Sequence, residues 1–329
     1  MVLVPPRILL SSLAAATLAL SAFAAHADDA WPARPGRIVV PFSAGGAADT
    51  FGRFAADALS NAFGKQFYVE NKVGAGGQIA SEDVARAKPD GYTLMVSGMP
   101  THVLGPAMNK AQSFDPMRDF THVGFFGGAP NAFVVYPGFG VRSFADFMAQ
   151  AKREAGGFEY VSAGVGTVGN WVAEYLAAKT GIKLVHVPYK GGANAVLDLI
   201  AGRVKVGMLT YSSVSAQIRA GALIPLANSA SARLPLMSEV PTFRELGYPE
   251  LVATTWFALS GPAGLAPDIV TRLNHEVVKA MAAPQMHTLI DQDAIETKAM
   301  TAPEVAQFFQ GEIDKWQPII ARVMKTKPE

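Results

Sequence analysis

The sequence predicts an α/β fold with mostly parallel sheets, arranged as two units of ordinary domain size. Three observations predict it. Short apolar, β-branched runs alternate with longer segments of helical periodicity, the order expected of βαβ units. Glycine-rich loops follow several of the runs and open the helices after them. The pattern restarts after Gly127-Gly128-Ala129-Pro130, and 329 residues accommodate two such units, the second inserted in the first.

Each element follows from its residues. Arg37–Phe42 reads as a strand, then a glycine loop and an amphipathic helix from about Asp49 to Phe63. Phe67–Asn71 is a strand, followed by Gly74-Ala75-Gly76-Gly77, a helix to about Ala87 and a third strand at Tyr92–Val96. After the restart, strands are expected at Ala132–Tyr136, Tyr160–Ser162, Leu184–Val187, Val204–Leu209 and Ile224–Ala227. Helices between them are expected at Ser143–Glu154, Asn170–Lys179, Ala193–Ala201 and Ser215–Ala220. A strand at Thr255–Leu259 and helices at Asp268–Ala282 and Ala302–Met324 complete the chain.

Composition narrows the function. Half of the residues are apolar and 17% are charged, so a full core can form. Lys plus Arg number 28 against 27 acids, which leaves no basic excess for nucleic acid. With no cysteine, disulfides, thiolate nucleophiles, zinc fingers, cysteine-ligated clusters and a lipobox are excluded. Arg7, the apolar run Ile8–Leu20 and Ala25-His26-Ala27 read as a secretory signal peptide over 1–27, cleaved near Ala27. The alternative is an N-terminal membrane anchor. Cleavage removes one base and no acid, leaving 27 of each, and no later stretch has the roughly 18 uncharged apolar residues of a span.

Two loops could carry binding chemistry. Phe42-Ser43-Ala44-Gly45-Gly46-Ala47-Ala48-Asp49 joins a strand to a helix, where glycines admit a ligand to the backbone and free N–H groups attract an anion. A tight turn with Asp49 as a helix cap is the other reading. Ser162-Ala163-Gly164-Val165-Gly166-Thr167-Val168-Gly169-Asn170 contains G-x-G-x-x-G in the context of a dinucleotide fingerprint. Its mid-chain position and the missing acid near Leu184–His186 count against a dinucleotide, so no cofactor is expected and a second anion-binding helix start remains. Gly74–Gln78 reads as a tight turn.

Catalytic signatures are missing: there is no G-x-S-x-G, H-E-x-x-H or P-loop. No two of the six histidines stand four residues apart, so no metal is expected. Thr101-His102 stands out because it follows a strand end, where α/β ligands collect.

A set of ordered segments resembles one family. These are Trp31-Pro32; Arg37–Phe42; Gly45-Gly46 with Asp49; Val69–Lys72 with Gly74–Gly77; Pro89–Leu94; Phe114-Asp115-Pro116; His186-Val187-Pro188-Tyr189-Lys190-Gly191-Gly192; and Val240-Pro241-Thr242. In this order they resemble the periplasmic receptors of tripartite tricarboxylate transporters, the Bug receptors, over the whole mature chain. The resemblance implies a two-domain Venus-flytrap fold of the periplasmic binding protein kind, with each domain a mostly parallel sheet flanked by helices. It implies a first domain of 28–129 plus 253–329 and a second of 130–252, crossing over near Asn131–Tyr136 and Thr254–Leu259. It also implies a small organic carboxylate held between Phe42–Asp49 and Ser162–Thr167, with Tyr189 nearby, and delivery to membrane permease subunits. A monomer that binds no nucleic acid is expected.

The sequence departs from the family pattern at three places. Asn170-Trp171 stands where His-Leu is usual after the second loop, and Lys205 and Thr210 replace acids. Two other readings remain open: an extracytoplasmic carboxylate sensor and a secreted α/β enzyme.

Overall fold

The computed structural model describes residues 31–108 and 112–325. The expected signal segment therefore lies outside the described residues. Beyond it, the βαβ rhythm is realised nearly element for element. The first group is β1 (Gly36–Val40), α1 (Ala47–Phe63), β2 (Phe67–Asn71), α2 (Gln78–Ala85) and β3 (Thr93–Gly98). β1 lies between its two parallel neighbours, with Ile38 opposite Val69 and Leu94. A π-helical turn, Met99–Leu104, then runs into the short α3 (Gly105–Met108).

The second group opens on β4 (Phe120–Val135) and α4 (Phe144–Ala151), then β5 (Phe158–Ser162), α5 (Val168–Thr180) and β6 (Leu184–Pro188). It continues through α6 (Gly192–Ile200), β7 (Val206–Thr210), α7 (Tyr211–Arg219) and β8 (Ile224–Asn228). The chain returns along β9 (Thr254–Pro262) and ends in α8 (Pro267–Met281), α9 (Pro284–Asp293) and α10 (Ala302–Lys325). α9 carries no clear apolar period and was not expected from sequence.

The strand order is β2-β1-β3-β9-β4-β7-β5-β6, with β8 paired to β4. The outer ladders are parallel, as the β–α–β order requires: β1 with β2 and β3, β5 with β6 and β7. The central ladders are antiparallel, joining β9 to β3 and β4, and β4 to β7 and β8. These pairs are not bridged by a single crossover helix, so nothing local in the chain signals them.

β4 corrects one expectation. Gly127-Gly128-Ala129-Pro130 reads as a break, yet the strand runs through it for 16 residues. Two register shifts, at His122/Gly124 and Phe125/Gly127, absorb the irregularity. Gly127 has φ +125°, open to glycine and strained for other residues.

Side-chain alternation places the helices on both faces. Phe133 and Val135 of β4 join Phe147, Tyr160, Trp171 and Met208 in one core, whereas Ala132 and Val134 join Val161, Val196, Leu209 and Val214 in another. The first core continues through Phe125 and Trp256 to Phe309 and Trp316 of α10. No helix among the described residues is long and apolar enough to cross a membrane.

Candidate ligand-binding cavity

Four strand-to-helix junctions converge on one cavity. Its atom-free space, open solvent included, is about 420 Å³. The start of α1 contributes Gly46, Ala47 and Ala48, with Phe42 from the loop before it. The start of α5 contributes Thr167 and Gly169, with Ala163 before them. Gly192 opens α6, and Thr210 with Ser213 open α7. Pro100, Asn131, Thr255, Phe257, Met208 and Leu209 complete the wall. Among the described residues no Lys, Arg, His, Asp or Glu lines it.

Helix starts leave backbone N–H groups without intrahelical partners, and each helix carries positive potential there. Four such ends around an uncharged wall make the cavity attractive to an anion. The loops also close on one another. The Ser43 N–H donates to the Lys190 carbonyl at 2.8 Å. A methyl added to Gly46 would stand 3.7 Å from the Gly192 nitrogen, and one on Gly166 would stand 3.3 Å from Gly105 Cα.

Both predicted loops are wired from within by the side chain three places into the helix. In the first, Asp49 Oδ2 accepts from the Gly45 N–H at 2.9 Å and from Arg53 Nε at 2.8 Å. Asp49 Oδ1 accepts from Asn71 Nδ2 at 2.9 Å, and the same amide donates to the Phe42 carbonyl at 3.0 Å. Burial raises the Asp49 pKa, but the bonds from Arg53, Gly45 and Asn71 outweigh it and hold the carboxyl below its ordinary value. In the second loop, Asn170 Oδ1 accepts from the Gly166 N–H at 3.1 Å. Thr167 Oγ1 donates to the Gly164 carbonyl at 2.7 Å.

The predicted residues therefore divide. Phe42, Gly46, Ala163 and Thr167 line the cavity; Ser43, Ala44, Gly45, Asp49, Ser162, Gly164, Gly166 and Asn170 belong to the same two segments but do not line it. Tyr189 turns away, its hydroxyl donating to Asp198, and burial with that carboxylate pushes its pKa up to about 12. Thr101 and His102 lie elsewhere. Both are buried and absent from the cavity wall. The His102 ring packs against Phe120 at 4.5 Å and Phe309 at 5.6 Å, with Nδ1 2.9 Å from Thr101 Oγ1. Burial, with His122 beside it, holds His102 well below the ordinary histidine pKa.

Sequence reasoning missed Asn131, Thr210, Ser213, Thr255, Met208 and Phe257. Asn131 stands opposite Thr210 in the β4–β7 ladder, and its amide donates to Thr255 Oγ1 at 2.8 Å. The available signal was position, since Thr210 ends β7, where α/β sheets place ligands.

Ser162 Oγ lies 2.7 Å from His186 Nε2, a distance that would suit a nucleophile and its base. The surrounding bonds assign the proton the wrong way for that role. Asn170 must present Oδ1 to the Gly166 N–H, so its NH2 faces His186 Nδ1 at 3.3 Å. Nδ1 is then an acceptor, the ring proton sits on Nε2, and Nε2 donates to Ser162 rather than taking its proton.

Residues 51–324 match the family model described as the tripartite tricarboxylate transporter family receptor. The chain belongs to this receptor family. The receptor is 31% identical over 293 residues to the protein BugT of Bordetella pertussis, covering 89% of this chain and 90% of BugT. It superposes on the R. palustris protein Rpa4515 with adipate at a TM-score of 0.83 and 30% identity, over 90% of this chain and 98% of that one. It superposes equally, at 0.83 and 28% identity, on MatC of Rhodopseudomonas palustris with bound malate, over 88% and 100% of the two chains. It also superposes on the periplasmic binding protein BugD at a TM-score of 0.84 and 27% identity, over 89% and 98% of the two chains, and this receptor shares the two-domain fold.

Proposed function

We propose that this chain is a periplasmic solute-binding receptor that captures a small organic carboxylate in the cavity and delivers it to membrane permease subunits. One observation carries the reading: four helix starts face a cavity whose wall holds polar neutral groups and no cation. A carboxylate's single diffuse charge suits such donors, whereas a phosphate dianion more often recruits an arginine fork. Adipate and malate in the two structural neighbours support the same chemistry. Residues 28–129 plus 253–329 and residues 130–252 act as the two lobes that close on the ligand, and the protein does no chemistry on it.

A thermal-shift screen over mono-, di- and tricarboxylates and aromatic acids tests this, because a ligand of the native state raises Tm by mass action. At least one carboxylate should raise Tm and return unchanged by mass spectrometry. A panel in which only phosphates or cations stabilise the protein would overturn the reading.

A further inference from the structure

Behind the second loop, hydrogen bonds run in a chain from a carboxylate to the loop backbone. Tyr160 OH donates to Glu174 Oε1 at 3.0 Å and accepts from Asn170 Nδ2 at 3.0 Å. The second hydrogen of that amide meets His186 Nδ1, and His186 Nε2–H meets Ser162 Oγ. Ser162 then donates to the Gly164 carbonyl at 3.1 Å while accepting from the Gly164 N–H at 3.1 Å. One end of the chain is thus fixed by a carboxylate and the other by the backbone of the loop. The ring stacks on Tyr160 at 4.8 Å, which fixes its plane.

This arrangement exists for one protonation state only. A proton on His186 Nδ1 would set an N–H against the N–H of Asn170. The conflict is relieved by turning the Asn170 amide over, and Gly166 then faces an NH2 instead of its acceptor. Gly166 adjoins Thr167, which lines the cavity.

We propose that His186 is a proton-sensitive positioning residue for the ligand cavity: its neutral ring holds Asn170 and Ser162 so that Gly164–Thr167 keeps its shape, and protonation at Nδ1 dismantles that support. The link to binding rests on the carboxylate-receptor reading; the loop switch itself does not. Against the ring stand Tyr160 and Ser162 from β5 and Asn170 from α5, with Glu174 of α5 bonded to Tyr160 behind them. Tyr160 stays protonated, since burial and the Glu174 charge raise its pKa. Tyr189 with Asp198 and Arg203 belongs to the opposite face of the sheet, and Lys183 and Lys190 flank β6.

The test uses the whole mature protein labelled with ¹⁵N. Histidine ring spectra at neutral pH should show His186 as the Nε2–H tautomer. On acidification, the Gly166 amide should shift with the same midpoint as the His186 ring. In His186→Gln, whose amide keeps both a donor for Ser162 and an acceptor for Asn170, the Gly166 amide should not titrate. In Asn170→Asp, the carboxylate accepts from Gly166 and from a charged ring alike, so the His186 midpoint should rise and Gly166 should stay in place. With adipate as probe, wild-type affinity should fall about fivefold across the titration, one hydrogen bond's worth. The His186→Gln affinity should stay flat. An Nδ1–H tautomer, a Gly166 amide blind to His186, or a flat adipate affinity in wild type overturns the proposal. Failure of adipate to bind counts against the functional reading, and the spectra then decide the switch on their own.

Discussion

Asp49 offers the sharpest test of how the first loop is held. Its side chain is 4% exposed and accepts three bonds, from Gly45, Arg53 and Asn71. Arg53 contributes little: it is 56% exposed, and such pairs are worth about 0–1 kcal/mol. The bond from the Asn71 amide to a charged acceptor is worth about 1.5–3 kcal/mol, and the Gly45 N–H, nearer solvent, adds about 0.5–1 kcal/mol. Asp49→Ala should therefore destabilise the fold by about 2–4 kcal/mol at pH 7, and Arg53→Ala by less than about 1 kcal/mol. Urea unfolding followed by the fluorescence of the buried Trp171, Trp256 and Trp316 reads both. The folded pKa of Asp49 is lowered, so its contribution is complete above the unfolded carboxylate range and is lost as pH falls through the folded value. The gap between wild type and Asp49→Ala should accordingly narrow in acid. A loss under about 1 kcal/mol at pH 7, or equal losses in the two variants, would refute the assignment of Asp49 as the loop's internal clasp.

Three further outcomes are expected. Gly46 has φ −93° and room for a methyl, so Gly46→Val should fold while its branches enter the cavity, weakening carboxylate binding at least about tenfold by calorimetry. Carboxylate affinity should change only about threefold between low and high salt, since no cation lines the cavity; a steep loss would reveal a side-chain charge in the site. Burial pushes His122 down to about 4, so folding stability should fall as pH drops from about 6.5 towards that value, and His122→Asn should make this limb shallower in pH-dependent urea unfolding while His102 sustains the remainder.

The outer strands and most helices were legible because their apolar periods are local. The length of β4 was not, because Gly124, Gly127, Gly128 and Pro130 carry turn chemistry that the strand tolerates through bulges and a pairing partner on another part of the chain. The same division holds at the cavity. The glycine loops before α1 and α5 are contiguous motifs, and the sequence shows them as helix starts. Asn131, Thr210 and Thr255 meet only through antiparallel pairing of strands distant in sequence, which no spacing reveals. His102 lies apart from the cavity for a different reason. It follows a strand end as a ligand-facing residue would, but the π-helical turn carries its ring into the aromatic core at Phe120 and Phe309.

The absence of cations from the cavity wall has a physical logic for a protein proposed to bind and release. An arginine placed there would pair strongly with a carboxylate, but once the ligand leaves it becomes a charge with no partner in a closed space, which costs several kcal/mol. Backbone N–H groups at four helix starts impose no such penalty, because water can satisfy them when the cavity is vacant. Each helix end carries roughly half an elementary charge, so four together oppose one carboxylate without any single strong contact that would slow release. The loops must then be held in shape by something other than the ligand. Asp49 with Asn71 behind the first loop, and Asn170 with His186 behind the second, supply that support from outside the cavity. Their charges and protons can therefore be tuned without placing an ion against the ligand itself.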